Sequence, residues 1–109
     1  MTNEEIIQEY KRVLNDVHAK YKRNFWKTDI EQKTKVIVKY IIEQELKWTK
    51  KDIEQHCNSN LFYNFRILIP YRYYNNNAQY IINMCYNDNI KLKNFKNLGI
   101  YKKGMLCLL

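Results

Sequence analysis

The chain has 109 residues, 46% hydrophobic and 28% charged, with two Gly and one Pro; this is the size and make-up of one folded domain and excludes a long disordered linker. Nineteen Lys and Arg against eleven Asp and Glu give a formal net charge of +8, which excludes an acidic mimic of nucleic acid and favours a polyanionic partner. No apolar run reaches the roughly 18 residues that a membrane span needs.

The first helix is predicted from about Asn3 to Asn24. Thr2-x-x-Glu5 forms a capping box ahead of it, and Ile6, Tyr10, Val13, Leu14, Val17 and Tyr21 recur three and four residues apart on one face. The same grammar at Thr28-x-x-Glu31 predicts a second helix whose stripe is Ile30, Thr34, Ile37, Val38, Ile41 and Ile42, running antiparallel to the first as a helical hairpin over residues 1–47. Phe25 and Trp26 close the corner between them. The first stripe also has the make-up to close on a second copy of the chain, so a homodimer stays open.

Thr49-x-x-Asp52 opens a short third helix to about Cys57, and Asn58-Ser59-Asn60 breaks it. Leu61, Phe62, Phe65, Leu68 and Ile69 read as a fourth helix ending near Pro70, followed by a loop from Tyr71 to Asn77. Short helix, polar turn and helix outline a helix-turn-helix-like hairpin. Ala78, Ile81, Ile82 and Cys85 mark a fifth helix. Ile90-Lys91-Leu92-Lys93 alternates apolar with basic and predicts a short basic strand or ribbon, with turns at Gly99 and Gly104. The expected fold is therefore mainly α, a small domain of about five helices spanning 1–109.

Trp48-Thr49-x-x-Asp52-Ile53, then Leu68, Tyr74-Asn75-Asn76 ahead of Ile81-Ile82, and finally Tyr86 and Phe95 form a pattern. It resembles an uncharacterised helical module recurrent in low-GC Gram-positive bacteria and their phages. Asn87 and Asn94 depart from that pattern. The resemblance covers residues 48–109 and implies an origin and a helical fold, with no catalytic residues.

Charge is unevenly placed along the chain. From Ser59 to Leu109 there are seven Lys or Arg, ten aromatics and one carboxylate, Asp88. Cations gain affinity by releasing counterions from phosphates, and aromatic faces stack on bases. Ile, Lys, Asn and Tyr supply 52 of the 109 residues, a bias that AT-rich coding produces. That coding raises Lys and Tyr whether or not anything binds them, but it does not account for the scarcity of acids after Glu54.

Two surfaces are candidates for nucleic acid. The stronger combines Arg72, Tyr73 and Tyr74 with Lys91, Lys93, Lys96, Lys102 and Lys103, all outside the apolar stripes. The other is the hairpin, with Asn64 and Arg66 on its second helix reaching base edges or phosphates, and with Lys50 and Lys51 at a helix start touching the backbone. Against the hairpin, Arg66 is the only cation of that helix, so a plain helical hairpin inside the core ranks above it. Tyr71, Tyr80 and Tyr86 fall beside helical apolar positions and read as core or rim.

No cofactor and no metal is expected. His56 and Cys57 are adjacent and Cys85 and Cys107 stand alone, unlike the paired ligands of a zinc site. Glu31-x-Lys33 and Glu45-x-Lys47 copy part of a nuclease motif but fall on helices, where Lys27 with Glu31 and Lys39 with Glu43 would form surface pairs. Gly99-Ile100-Tyr101 copies the opening of another nuclease family, with too little chain after it. No phosphate-cradling glycine loop and no serine nucleophile motif occurs, so no enzyme is expected. The cysteines carry no C-x-x-C pair and lie among apolar residues, as reduced thiols of a cytoplasmic protein do. The acidic start at Glu4 and Glu5 is unlike a secretory signal.

The function expected from these residues is nucleic-acid binding through phosphate contacts of the basic, aromatic C-terminal half, with DNA ahead of RNA, in a phage or mobile-element regulator. The alternative is a phage-encoded protein that binds and inhibits a host nucleic-acid enzyme, such as an anti-CRISPR protein, since Tyr and Trp also dominate protein interfaces.

Overall fold

The Thr2 box starts the first helix. The Glu5 amide donates to Thr2 Oγ1 at 3.1 Å and the Thr2 amide donates to Glu5 Oε1 at 2.7 Å, satisfying two donors that a helix start leaves unpaired. A computed structural model describes residues 1–87 and 90–93, with the backbone of 102–103 and 105–106. Among the described residues the chain is mainly helical, with six α-helices: α1 Asn3–Leu14, α2 Ile30–Tyr40, α3 Lys50–His56, α4 Ser59–Asn64, α5 Leu68–Tyr73 and α6 Ala78–Tyr86. A 3₁₀ turn at Phe25–Lys27 precedes α2, and a π-helical turn at Ile41–Glu45 follows it. Lys102–Lys103 and Met105–Leu106 pair as two-residue extended segments. The chain divides into two compact units, Met1–Lys47 and Trp48–Leu109.

In the first unit α1 ends ten residues before the predicted Asn24. Asp16 accepts the His18 amide at 2.9 Å, a local bond that competes with helix continuation, and Val17 is 80% exposed. The chain instead runs back along α1. Arg12 Nη2 donates to the Lys20 carbonyl at 2.6 Å, and Glu9 Oε2 accepts the Lys22 amide at 2.8 Å. This return carries α2 to the starting end of α1. Gln32 donates to Asn3 at 3.2 Å, while Tyr10 meets Tyr40 edge-on with ring centroids 6.1 Å apart. The contacts advance together along both helices, so α1 and α2 run in the same direction and not as an antiparallel hairpin.

The second predicted capping box, at Thr28, does not form. Asp29 takes the N-cap position with φ 50° and no side-chain cap, because Thr28 serves a buried lysine. Lys33 Nζ donates to Phe25 O at 2.5 Å, to Thr28 O at 2.8 Å and to Thr28 Oγ1 at 3.0 Å, and lies 4.7 Å from the Phe25 ring centroid. With all three ammonium donors used, Lys33 is only 3% exposed. Glu31 pairs with Lys35 at 3.1 Å, not with Lys27. Of the predicted stripe, Thr34, Ile37, Val38, Ile41 and Ile42 are fully buried and Ile30, at the helix start, is half-buried, each fully buried apolar side chain contributing about 1.5–3 kcal/mol.

In the second unit, α3 begins with the predicted box: the Asp52 amide donates to Thr49 Oγ1 at 3.2 Å and the Thr49 amide to Asp52 Oδ2 at 2.9 Å. The predicted helix over 61–69 is two helices, because Arg66 adopts φ 63° and turns the chain between them. Pro70 then stands third in α5, within the first turn, where its missing amide leaves no bond unmade. It helps to start a helix there, and does not end one as the spacing predicts. Tyr71, expected in a loop, is buried in α5 and stacks on Phe62 at 4.5 Å and 12°. The fifth predicted helix is α6, with Ala78, Ile81, Ile82 and Cys85 all buried. Ile90–Lys93 is not a strand. Phe95, Gly99, Gly104 and Cys107 lie outside the described residues. No described helix is long and apolar enough to cross a membrane.

Lys47 holds φ 55° at the end of the first unit. The left-handed region costs an L-residue about 1–2 kcal/mol, and glycine avoids that strain at an entropic cost of about 0.5–1 kcal/mol. Lys47→Gly is expected to raise stability by up to about 1 kcal/mol and Lys47→Val to lower it, both read as urea midpoints. Glu9, 4% exposed, has its carboxyl held below its ordinary 4.5, first by its bond to Arg12 and also by the Lys22 amide, against the opposing effect of burial. A lowered folded pKa stabilises above the unfolded value, and that contribution disappears as pH falls through the folded one. Stability of the natural chain is therefore expected to fall more steeply below pH 4.5 than that of Glu9→Gln, in unfolding measured across pH.

Candidate nucleic-acid interface

The second unit turns every six to nine residues, and each turn fixes which side chains face outward. In α3, Lys50 and Lys51 occupy the exposed first turn. The amides expected to attract phosphate there are partly engaged, since the capping box uses those of Thr49 and Asp52. Hydrogen bonds from the Thr49 backbone, and then its hydroxyl, hold the Asp52 carboxyl below its ordinary range.

The short α4 presents Tyr63 and Asn64 to solvent and turns Leu61 and Phe62 inward. Arg66, half-buried, stands outside both α4 and α5. Asn64 and Arg66 therefore do not share a continuous recognition helix, and the hairpin surface is reduced to six residues of α4.

On α5 the inward pair is Pro70 and Tyr71, and the outward set is Ile69, Arg72 and Tyr73. Ile69 lies three and four residues before Arg72 and Tyr73, so the three share one face. The Tyr73 ring meets Tyr74 edge-on at 5.0 Å and 86°, and Tyr74 meets Tyr80 of α6 at 5.5 Å and 36°. Tyr73 is 62% exposed and Tyr80 53%. The sequence reads Tyr80 as core or rim and not as part of the candidate surface; yet it lies two residues from Ala78, off the 78, 81, 82, 85 stripe, and that spacing turns it outward.

Beside Tyr80, Gln79 holds the segment that carries Lys91 and Lys93. Gln79 Nε2 donates to the Ile90 carbonyl, and Gln79 Oε1 accepts the Leu92 amide at 2.9 Å. These are the two bonds that a residue of a neighbouring parallel strand would make, so one carboxamide replaces the missing partner strand. The Lys93 amide donates to the Glu54 carbonyl of α3 at 2.8 Å. Ile90 and Leu92 are buried and Lys91 and Lys93 exposed, which keeps the predicted alternation without a sheet.

The structure thus brings together Arg72, Tyr73, Tyr74 and the unpredicted Tyr80, and ties Lys91 and Lys93 to α6 and α3. Among the described residues, Lys51, Arg72, Lys91 and Lys93 have no carboxylate within ion-pair distance. Lys96 lies outside the described residues, and of Lys102 and Lys103 only the backbone is described. Burial, and then the neighbouring Cys85, pushes the Cys57 thiol up to about 12; burial, and then Cys57, does the same to the Tyr71 hydroxyl. Both stay protonated at neutral pH, which makes Cys57 inert as a nucleophile. Among the described residues no three His, Cys, Asp or Glu gather as metal ligands.

Replacing Gln79 by Leu removes both bonds to the 90–93 segment at once. Each bond contributes about 1 kcal/mol, so exchange of the Leu92 amide, followed by NMR, is expected to accelerate about tenfold or more.

The family model described as "Protein of unknown function (DUF4046)" matches residues 6–91, a stretch that takes in most of the first unit and the second unit only as far as Lys91, whereas the resemblance read from the sequence spans 48–109. No curated protein and no solved structure matches the chain.

Proposed function

The chain belongs to the DUF4046 family of proteins of unknown function, and for this member we propose nucleic-acid binding through the exposed cations and tyrosines of the second unit. The observation that carries this reading is the juxtaposition of Arg72, without an ion-pair partner among the described residues, with the linked rings of Tyr73, Tyr74 and Tyr80. Cations left without carboxylates are available to phosphate, and neighbouring rings are available to bases. The sequence around them strengthens the reading, since no Asp or Glu occurs from Ser59 to Asn87. Lys50, Lys51, Lys91 and Lys93 extend the basic surface, and Lys96, Lys102 and Lys103 add charge along the chain. The abundance of Ile, Lys, Asn and Tyr supports a low-GC bacterial or phage origin, and protonated, buried Cys57 suits a cytoplasmic protein.

A second reading has its own observation. Ile69 is 51% exposed on the same face as Tyr73, and an aliphatic residue beside aromatic ones suits a protein partner such as a host nucleic-acid enzyme. Salt separates the two. Binding to labelled nucleic acid is expected at about 50 mM salt and to collapse by about 200 mM, with a log-log slope of about −0.7 to −0.9 per phosphate contact. Arg72→Glu and the pair Lys91→Glu with Lys93→Glu are each expected to weaken binding and flatten that slope. Absence of binding at low salt would move the weight to the protein partner.

A further inference from the structure

The tyrosine cluster selects among nucleic acids. We infer that Tyr73, Tyr74 and Tyr80, with Arg72, form a stacking platform for single-stranded nucleic acid, an inference that rests on the nucleic-acid reading and narrows it to one substrate class.

Two observations point to a single strand. A duplex hides its base faces and is read by an element laid in a groove, normally a helix whose first turns contact base edges. The helices on which Asn64 and Arg72 lie have six residues each, about 9 Å at 1.5 Å per residue, and Arg66 breaks the chain between them. No long recognition helix is present among the described residues of this unit. A single strand, by contrast, offers base faces and needs only exposed rings near cations.

The rings meet that need. Tyr73 and Tyr80 are 62% and 53% exposed and are bridged by half-buried Tyr74, with centroid steps of 5.0 and 5.5 Å. Their interplanar angles of 86° and 36° show that the rings do not stack flat on one another. Flat self-stacking would have covered the faces a base uses. Arg72 precedes Tyr73 directly, and the stretch from Ser59 to Asn87 is free of carboxylates, so the segment that carries the rings offers a phosphodiester chain positive charge and no carboxylate of its own.

The test uses the full chain and fluorescence anisotropy at about 50 mM salt. Probes are labelled oligothymidine and oligouridine of about 12 nucleotides, an abasic phosphodiester oligomer of equal charge, and a duplex of equal length. Either single strand is expected to bind about tenfold tighter than the abasic oligomer and the duplex, the tighter of the two naming the preferred sugar. Tyr73→Leu and, independently, Tyr80→Leu are expected to weaken single-strand binding about tenfold while leaving abasic binding unchanged. Tyr73→Trp is expected to restore it. Equal affinity for the single strands and the abasic oligomer, or unchanged binding in both leucine variants, overturns the stacking platform and leaves the phosphate reading standing if Arg72→Glu still weakens binding. No binding of any probe overturns both readings.

Discussion

Chain reversal without glycine is the constraint on which both units depend. The two glycines, Gly99 and Gly104, lie outside the described residues, and every described residue with positive φ carries a side chain: Asn24, Asp29, Lys47, Arg66, Asn75, Asn76 and Asn87. Asn and Asp tolerate the left-handed region because their short polar side chains bond locally to the backbone. These residues stand at the joints. Asp29 begins α2, Arg66 separates α4 from α5, Asn75 and Asn76 separate α5 from α6, and Asn87 ends α6. The same composition that reads as AT-rich coding therefore supplies five of these seven residues, all but Asp29 and Arg66, and the closeness of the turns keeps the second unit's helices short.

In the first unit a different device is needed, because two helices running in one direction require a connection that doubles back. That connection carries polar backbone which must be satisfied where it passes the helices. Glu9 and Lys33 do this from opposite sides. The carboxylate takes the Lys22 amide together with Arg12, and the ammonium takes the Phe25 and Thr28 carbonyls. Neither buried charge neutralises the other; each is compensated by the backbone it fixes, along with Arg12 in the case of Glu9. Between them Tyr21, Phe25 and Trp26 pack as a triple of rings with centroids 5.0 to 5.3 Å apart.

Helix starts were legible where a capping box had no rival for its hydroxyl. Thr2 and Thr49 meet that condition, whereas Thr28 has a lysine five residues on that claims it. Apolar periodicity marked the buried faces of α1, α2 and α6, and it also contained the outward position of Tyr80. What it did not contain is the break at Arg66, since a long cation in the left-handed region carries no compositional signal. Nor did it contain the Gln79 clamp, because a glutamine eleven residues before its partner resembles any surface glutamine. Of the candidate site, Arg72, Tyr73 and Tyr74 come together and Lys91 and Lys93 are exposed, while Asn64 and Arg66 lose the helix they were to share.

Coding bias supplies Tyr without regard to which half of a protein it enters, so it offers no reason for the two halves to treat it differently. They do. In the first unit Tyr10 is fully buried, Tyr21 packs on Phe25, and Tyr40 rests against Tyr10. In the second, Tyr71 is buried on Phe62, whereas Tyr63, Tyr73 and Tyr80 are 68%, 62% and 53% exposed. An exposed ring forgoes burial that would otherwise stabilise a small unit. Ten of the eleven carboxylates, moreover, precede Ser59, and AT-rich coding has no tendency to remove Asp or Glu from one end. Outward rings and missing acids in the same stretch are therefore independent departures from what composition alone would produce, and the proposed nucleic-acid ligand, with flat faces and negative charge, would answer to both.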